Sequence, residues 1–138
     1  MSRHVAREVA FKIVFELAFQ DEDSEALFER FFECQSDKLD LTEEDRVYVK
    51  EVVTGIKENL PSIDEKIKSK LKDWNFDRIS KVDIAILRLA IYEICYRKDI
   101  PEKVSVNEAV EISKVFGEDS SSSFINGVLA EILKDIKM

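Results

Sequence analysis

The sequence contains very little glycine, proline, histidine or cysteine, and each shortage excludes a class of protein. Three glycines and two prolines in 138 residues leave few turns, which argues against an all-β sandwich. The glycines lie far apart, so no glycine-rich loop is present to hold a phosphate. One histidine excludes paired-histidine metal sites and histidine-based triads, and the two cysteines form no Cys-x-x-Cys pair. We therefore expect a non-enzymatic protein with no metal and no cofactor.

Long hydrophobic runs are also missing. No apolar run approaches the roughly 18 residues that a membrane-spanning helix needs. The segment MSRHVAREVAFKIVF interleaves charged and apolar side chains, whereas a secretory signal has a continuous apolar block. The sequence thus predicts a cytoplasmic protein without a membrane partner.

Charge is abundant but unevenly distributed. The formal net charge is −8, which taken alone argues against nucleic acid as a partner. Residues 16–45 carry twelve acidic and two basic side chains, whereas residues 66–81 carry six basic and two acidic ones. Residues 1–12 are also net basic. Such a distribution predicts two electrically different faces on the folded protein.

Hydrophobic periodicity of three and four residues predicts an all-α fold with seven helices. The predicted segments are Arg3–Phe19, Ser24–Cys34, Thr42 to a stop before Pro61, Ser62 to near Trp74, Val82–Tyr96, Ser105 to a stop at Gly117, and a last helix that follows four serines and runs to the C-terminus. We expect one domain, residues 1–138, in which two helical subdomains of about residues 1–60 and 61–138 pack together.

Capping patterns and one strongly apolar segment support this assignment of helices. Thr42 is a plausible N-cap, and Ser62–Glu65 and Ser105–Glu108 both have the spacing of a capping box. Apolar residues surround nearly the whole segment Val82–Tyr96, which predicts a helix buried in the middle of a bundle.

Aromatic residues remain on the first predicted helix after its main apolar stripe is assigned to the core. Phe11, Phe15 and Phe19 repeat every four residues on a second face. Another helix could cover them, or Phe15 could contribute to a protein-binding surface, because exposed aromatic patches mark interfaces. Arg3 and Arg7 lie one turn apart and form either a solvated helix start or a pair suited to phosphate oxygens.

The segment FGEDSSSSFINGVLAEIL places two aromatic residues around a polar loop at a helix start. Hydroxyls and backbone amides at such a position can hold a phosphate, and an exposed ring of Phe124 could stack on a base. The alternative is that Phe116 and Phe124 both lie at the edge of the core. Gly127 is unusual inside a helical repeat, and its bare backbone could allow close approach of either the first helix or a ligand.

Two segments together resemble the NusB family of transcription antitermination factors. They are AREVAFKIVFELAF near the start and KVDIAILRLAIYEICYRKDIPEKVSVNEAVEISKVFGEDSSSSFINGVLAEI in the second half. The resemblance covers nearly the whole chain; the acidic loop around residues 35–41 is the part that carries no recognisable motif. It implies an all-helical fold in two subdomains and a factor that binds boxA-type single-stranded RNA together with ribosomal protein NusE.

The resemblance also implies which residues bind. The RNA-binding residues it implies are Arg3, His4, Arg7, Phe116, Ser120, Ser123 and Phe124. The residues it implies for the surface that faces NusE are Phe15 and Asp83. It further implies a role in antitermination and ribosomal RNA synthesis, within a transcription elongation complex that contains RNA polymerase and other Nus factors.

Two other functions remain open from the sequence. A helical adaptor could bind protein through its phenylalanines without contacting RNA, or the chain could serve as an accessory domain of an RNA-modifying enzyme. Exposed apolar residues on the first helix could also pair two copies of the chain into a homodimer.

Overall fold

The computed structural model describes residues 4–19, 24–35, 41–71 and 75–137. Within these ranges the chain forms seven α-helices and one short 3-10 helix, which confirms the predicted all-α fold. The helices are α1 (His4–Phe19), α2 (Ser24–Gln35), α3 (Glu43–Glu58), α4 (Leu60–Ser69), α5 (Lys81–Tyr96), α6 (Glu102–Phe116) and α7 (Ser121–Lys137), with the 3-10 helix at Phe76–Arg78. None of the helices in the described ranges has the length and apolarity that crossing a membrane requires.

Helix α5 lies at the centre of the bundle, as its all-round apolar pattern predicts. It packs against α1, α3, α4, α6 and α7. Arg88, in the middle of α5, donates two hydrogen bonds of 2.8 and 2.9 Å to the carboxylate of Asp64 on α4. Because α5 contacts helices of both predicted groups, it joins them; the boundary near residue 60 stays a prediction.

Two helix starts differ from the capping boxes predicted for them. Helix α4 begins at Leu60 and α6 at Glu102, so Ser62 and Ser105 both lie inside helices. Pro61 lies in the first turn of α4. Backbone N–H groups in a first turn have no partner within the helix, so the N–H that proline lacks costs no helical hydrogen bond. The prolines therefore stand at helix starts, whereas the sequence interpretation placed them in the preceding breaks.

Other helix ends are where the sequence places them. Thr42 caps α3 in a reciprocal pair with Asp45, whose backbone N–H donates to Thr42 Oγ1 over 3.1 Å. Helix α5 begins at Lys81, one residue before the predicted start, and is capped by Ser80, which the sequence analysis did not single out; its Oγ accepts from the backbone N–H of Asp83 over 3.1 Å. Helix α6 ends at Gly117, where an added Cβ would lie 2.8 Å from the carbonyl oxygen of Ser113. Glycine is needed at this position because neighbouring atoms lie too close for a side chain. Its φ of −92° is not the reason.

Candidate nucleic-acid interface

Three phenylalanines and a lysine connect α1 to the end of α6. The ring of Phe116 lies 5.1 Å from that of Phe11, and Lys12 Nζ lies 5.6 Å from the centre of the Phe116 ring. Phe15 follows one turn later, with its ring centre 6.2 Å from that of Phe11. Phe11 is buried, so another helix does cover this member of the second aromatic face, while Phe15 stays half-buried. The side chain of Phe19 lies outside the described residues.

Arg7 belongs to a buried polar network and not to a solvated helix start. The residue is 5% exposed, and its Nε donates to both carboxylate oxygens of Glu93, over 2.9 and 3.2 Å. Tyr48 on α3 and Ser105 on α6 donate their hydroxyls to the same carboxylate. Burial disfavours the charged guanidinium, but the hydrogen bond and the charge of Glu93 outweigh it, so the pKa of Arg7 is raised. This geometry favours a positioning role for Arg7 over the direct phosphate contact predicted for it.

His4 lies one turn before Arg7 and is tied to α6. Its Nδ1 lies 2.8 Å from Oε1 of Glu108, and Nη1 of Arg7 lies 3.7 Å from the same oxygen. The start of α1 is thereby held against α6 by charge as well as by apolar contact. Arg3, the other basic residue predicted for this helix start, lies outside the described residues.

The four serines before Phe124 divide into two structural and two accessible residues. Ser121 is buried and its Oγ accepts from the backbone N–H of Glu118, while Oγ of Ser122 lies 2.8 Å from Oγ of Ser113. Ser120 and Ser123 are exposed. The accessible pair is the pair that the family resemblance implies for RNA.

Phe124 and Gly127 lie three residues apart on α7, and only the second is exposed. Phe124 is half-buried, at the border between core and surface where its position in the helical repeat puts it. Gly127 is exposed, and a Cβ added there would meet no described atom within 4 Å. The first helix therefore does not approach Gly127, which removes one of the two explanations that the sequence suggests for this glycine. Beside it, a groove of about 650 Å³ runs between α6 and α7 and is lined by Ser123 and Asn126.

Asp83 lies in the first turn of α5 and faces the loop that precedes α7. It is 9% exposed, and one of its carboxylate oxygens has no hydrogen-bond partner among the described residues. Burial raises the pKa of Asp83 and the charge of Glu118 adds to this effect, while the hydroxyls of Ser121 and Ser80 oppose it. The surroundings of Asp83 therefore destabilise its ionised carboxylate, and such acidic residues are typical of functional positions.

We expect Asp83→Asn to stabilise the protein more at neutral pH than in acid. A raised folded pKa means that the ionised carboxylate is less favourable in the folded than in the unfolded chain, so stability rises as falling pH protonates it. The asparagine variant lacks this penalty at pH 7 and loses its advantage below the usual range of an aspartate. Thermal unfolding of both proteins at pH 7 and in acid measures this; an equal difference at the two pH values would contradict it.

Sequence reasoning missed three residues that the structure places beside the predicted ones. Lys12 lies over Phe116, and Arg78 and Ser80 line one cavity with Ser120 and Phe124. The run of basic residues at 66–81 was the one available signal for Arg78. Within the described part of the chain, no group of three or more His, Cys, Asp or Glu side chains is placed to hold a metal ion.

Sequence comparison finds relatives over almost the full length. A profile of the NusB family matches residues 4–134. Transcription antitermination protein NusB of Acetivibrio thermocellus is 45% identical over 134 residues, covering 97% of this chain and 90% of that protein. The NusB protein of Clostridium botulinum is 41% identical over 143 aligned positions, covering 96% of this chain and 100% of that protein.

Solved structures show the same fold. NusB from T. maritima is 37% identical and superposes with a TM-score of 0.87, covering 98% of this chain and 92% of that chain. A crystal structure of antitermination factors NusB and NusE in complex with dsRNA contains a chain that is 25% identical. That chain superposes with a TM-score of 0.85 and is matched over 98% of this chain and 99% of its own length.

Proposed function

The chain belongs to the NusB family, and from that premise we propose that it binds boxA-type single-stranded RNA jointly with ribosomal protein NusE. Its curated relatives are named as transcription antitermination proteins, so the protein is a non-enzymatic RNA-binding factor. In this proposal it acts in the cytoplasm, within an elongation complex of RNA polymerase and other Nus factors, and supports antitermination and ribosomal RNA synthesis.

The observation that carries the proposal is the joint placement of the helix starts. Helix α1 begins against α6, and α7 begins where α6 ends, so His4, Phe116 and the accessible serines lie on connected elements. Helix starts present free backbone N–H groups and favour negative charge, which suits phosphates. The similarity to a NusB chain solved with NusE and RNA supports the same pair of partners here.

The RNA surface in this proposal consists of side chains with different tasks. Arg3 contributes positive charge, His4 offers its imidazole at the start of α1, and Arg7 fixes that start through Glu93. Ser120 and Ser123 offer exposed hydroxyls, Phe124 stacks on a base, and Phe116 supports Lys12. These charges are few, and the chain as a whole carries a net charge of −8, so we propose that NusE supplies additional positive charge.

The NusE-facing surface in this proposal contains Phe15 on α1 and Asp83 on α5. Phe15 is half-buried and contacts Phe11, which in turn packs against Phe116. Through these three rings the partner surface and the RNA surface are in direct contact. Binding of NusE can therefore order the residues that meet RNA, which predicts coupling between the two partners.

The test is fluorescence anisotropy of a labelled boxA-type RNA, titrated with this protein alone and then with NusE present. We expect NusE to tighten binding by about tenfold or more, which is about 1.4 kcal/mol of coupling, with no gain for a scrambled RNA. Phe15→Ala should reduce the gain from NusE and leave the affinity of the chain alone unchanged. If RNA is bound in neither titration, the helical-adaptor function replaces this one.

Pairing of two copies is a further part of the proposal that the same assay tests. A homodimer formed through the face that carries Phe15 would hide the NusE surface. RNA and NusE affinity would then fall as the concentration of this protein rises, and a concentration-independent affinity would rule this pairing out.

A further inference from the structure

The one histidine of the chain faces a glutamate on another helix. His4, at the start of α1, has its Nδ1 atom 2.8 Å from Oε1 of Glu108 on α6. Ser105 and Glu108 have the spacing of a capping box, but both lie inside α6, and the carboxylate of Glu108 faces α1 instead. We propose that Glu108 is a positioning residue for His4 and that this pair makes RNA binding stronger as the pH falls. The proposal rests on the proposed function and adds a regulation of the same surface.

Glu108 determines which nitrogen of the His4 ring carries a proton. An ionised carboxylate has acceptors and no donor, so the Nδ1 atom beside it must be protonated in the neutral ring and in the imidazolium alike. The neutral ring then has an acceptor at Nε2, its other nitrogen. A phosphate oxygen is also an acceptor and gains no hydrogen bond from that atom. Protonation places an N–H at Nε2, so the ring can donate to a phosphate while Nδ1 still donates to Glu108.

The exposure of the pair fits a contact that a ligand and a solvent proton can reach. The side chains of His4 and Glu108 are 39% and 22% exposed, whereas that of Arg7, one turn later, is 6% exposed. Arg7 donates to Glu93, and its Nη1 lies 3.7 Å from the Glu108 oxygen that His4 meets. Arg7 therefore holds Glu108 in place from the inside, and His4 is the member of this cluster that remains accessible.

Charged or titratable groups face this turn from three neighbouring helices and from α1 itself. They are Arg7 and Glu8 on α1, Tyr48 on α3, Glu93 on α5 and Glu108 on α6. Helix α2 meets α1 farther along, where Arg30 pairs with Glu16, and the next charges on α6, Glu111 and Lys114, pair with each other. With a neutral ring, one cation faces three carboxylates, and the imidazolium supplies a second cation. A phosphate is therefore repelled less when His4 is protonated, which acts in the same direction as the new hydrogen bond.

RNA titrations of the complex with NusE at pH 5.5 and pH 8 test the pair, because the ordinary charge change of histidine falls between these values. One phosphate contact contributes about 0.7 to the log–log salt slope on single-stranded RNA, which is about fivefold in affinity near 0.1 M salt. We expect the wild type to bind about fivefold more tightly at pH 5.5 than at pH 8. His4→Gln, neutral at both values, and His4→Lys, charged at both, should each lack this gain. Any pH dependence of NusE or RNA is common to all three proteins, so the same pH ratio in wild type and His4→Gln would overturn the proposal.

The ¹⁵N signals of the imidazole test the role of Glu108 without RNA or NusE. Because the chain has one histidine, its two ring nitrogens give one assignable pair of signals. At pH 8 the wild type should show the Nδ1–H tautomer, whereas an imidazole free in water favours Nε2–H. Glu108→Ala should shift the ring toward Nε2–H and reduce the pH ratio of RNA affinity, because a neutral ring with Nε2–H already donates to a phosphate. Glu111→Ala, which removes the same charge from a residue of α6 that pairs with Lys114, is the matched control and should change neither.

The outcomes separate this proposal from the proposed function. An Nε2–H ring in the wild type at pH 8 overturns the proposal, since Glu108 then does not fix the proton. RNA binding by the complex that shows no gain from His4 at low pH also overturns it and leaves the proposed function standing. If the complex with NusE binds no boxA-type RNA at either pH, the proposed function fails and the proposal fails with it.

Discussion

Glu93→Ala should lower the free energy of unfolding by about 3–5 kcal/mol, the usual result of removing one partner from a buried ion pair. Glu93 is 1% exposed and accepts hydrogen bonds from Arg7, Tyr48 and Ser105. These donors come from α1, α3 and α6, so one carboxylate on α5 joins four helices. Its removal takes away the acceptor that a buried guanidinium and two buried hydroxyls share, and a buried polar group that loses its partner retains its desolvation penalty.

Urea unfolding of Glu93→Ala beside Arg30→Ala gives the measurement and its control. Arg30 pairs with Glu16 on the surface, where such pairs contribute about 0–1 kcal/mol, so its removal should change little. The double variant Arg7→Ala/Glu93→Ala should lose less than the sum of the two single variants, since either one already breaks the shared contact. A loss below about 1 kcal/mol for Glu93→Ala, within the range of surface pairs, would contradict the assigned network.

In the proposed function, this network prepares the start of α1 for RNA. Arg7 is bound by Glu93 and lies near Glu108, which also contacts His4. Most of the charge of Arg7 is therefore neutralised inside the protein, and the first turn of α1 is held against α6. Variants of Glu93 that still fold should weaken RNA binding by loosening this turn, without removing any side chain that touches RNA.

The sequence predicts the helices well because their cause is local. Apolar spacing, the Thr42 cap and the glycine after α6 depend on residues within one or two turns. The start of α3, the end of α5 and the end of α6 therefore agree with the structure. The two proline-containing starts were predicted wrongly because proline is compatible with a break and with a first turn, and the pattern around Pro61 and Pro101 fits both.

The candidate site is less predictable because it depends on contacts between distant segments. Glu93 belongs to a helix whose sequence is apolar on nearly every face. Periodicity does not reveal that this carboxylate has a buried partner, Arg7, 86 positions away. The same holds for Arg7, which the sequence places on a face but not against Glu93. Arg78 and Phe124 are far apart in the sequence and line one cavity only in the folded chain.

Phe124→Leu should weaken binding of boxA-type RNA by about 1–3 kcal/mol, the contribution of one base stacked on an aromatic ring. In affinity this is about 5- to 150-fold. Leucine keeps an apolar side chain at a half-buried position, so the fold is retained while the flat ring surface is lost. The same change at Phe31 on α2, another half-buried phenylalanine, is the matched control and should leave RNA affinity unchanged.

An RNA that lacks a single base shows whether the loss of affinity in Phe124→Leu comes from stacking. Removing the base that stacks on Phe124, with an abasic nucleotide at that position, should weaken wild-type binding and leave Phe124→Leu nearly unaffected, because both changes remove the same contact. The salt slope should be unchanged in Phe124→Leu, since stacking releases no counterions. Equal losses at every abasic position would mean that Phe124 supports the surface and does not contact a base.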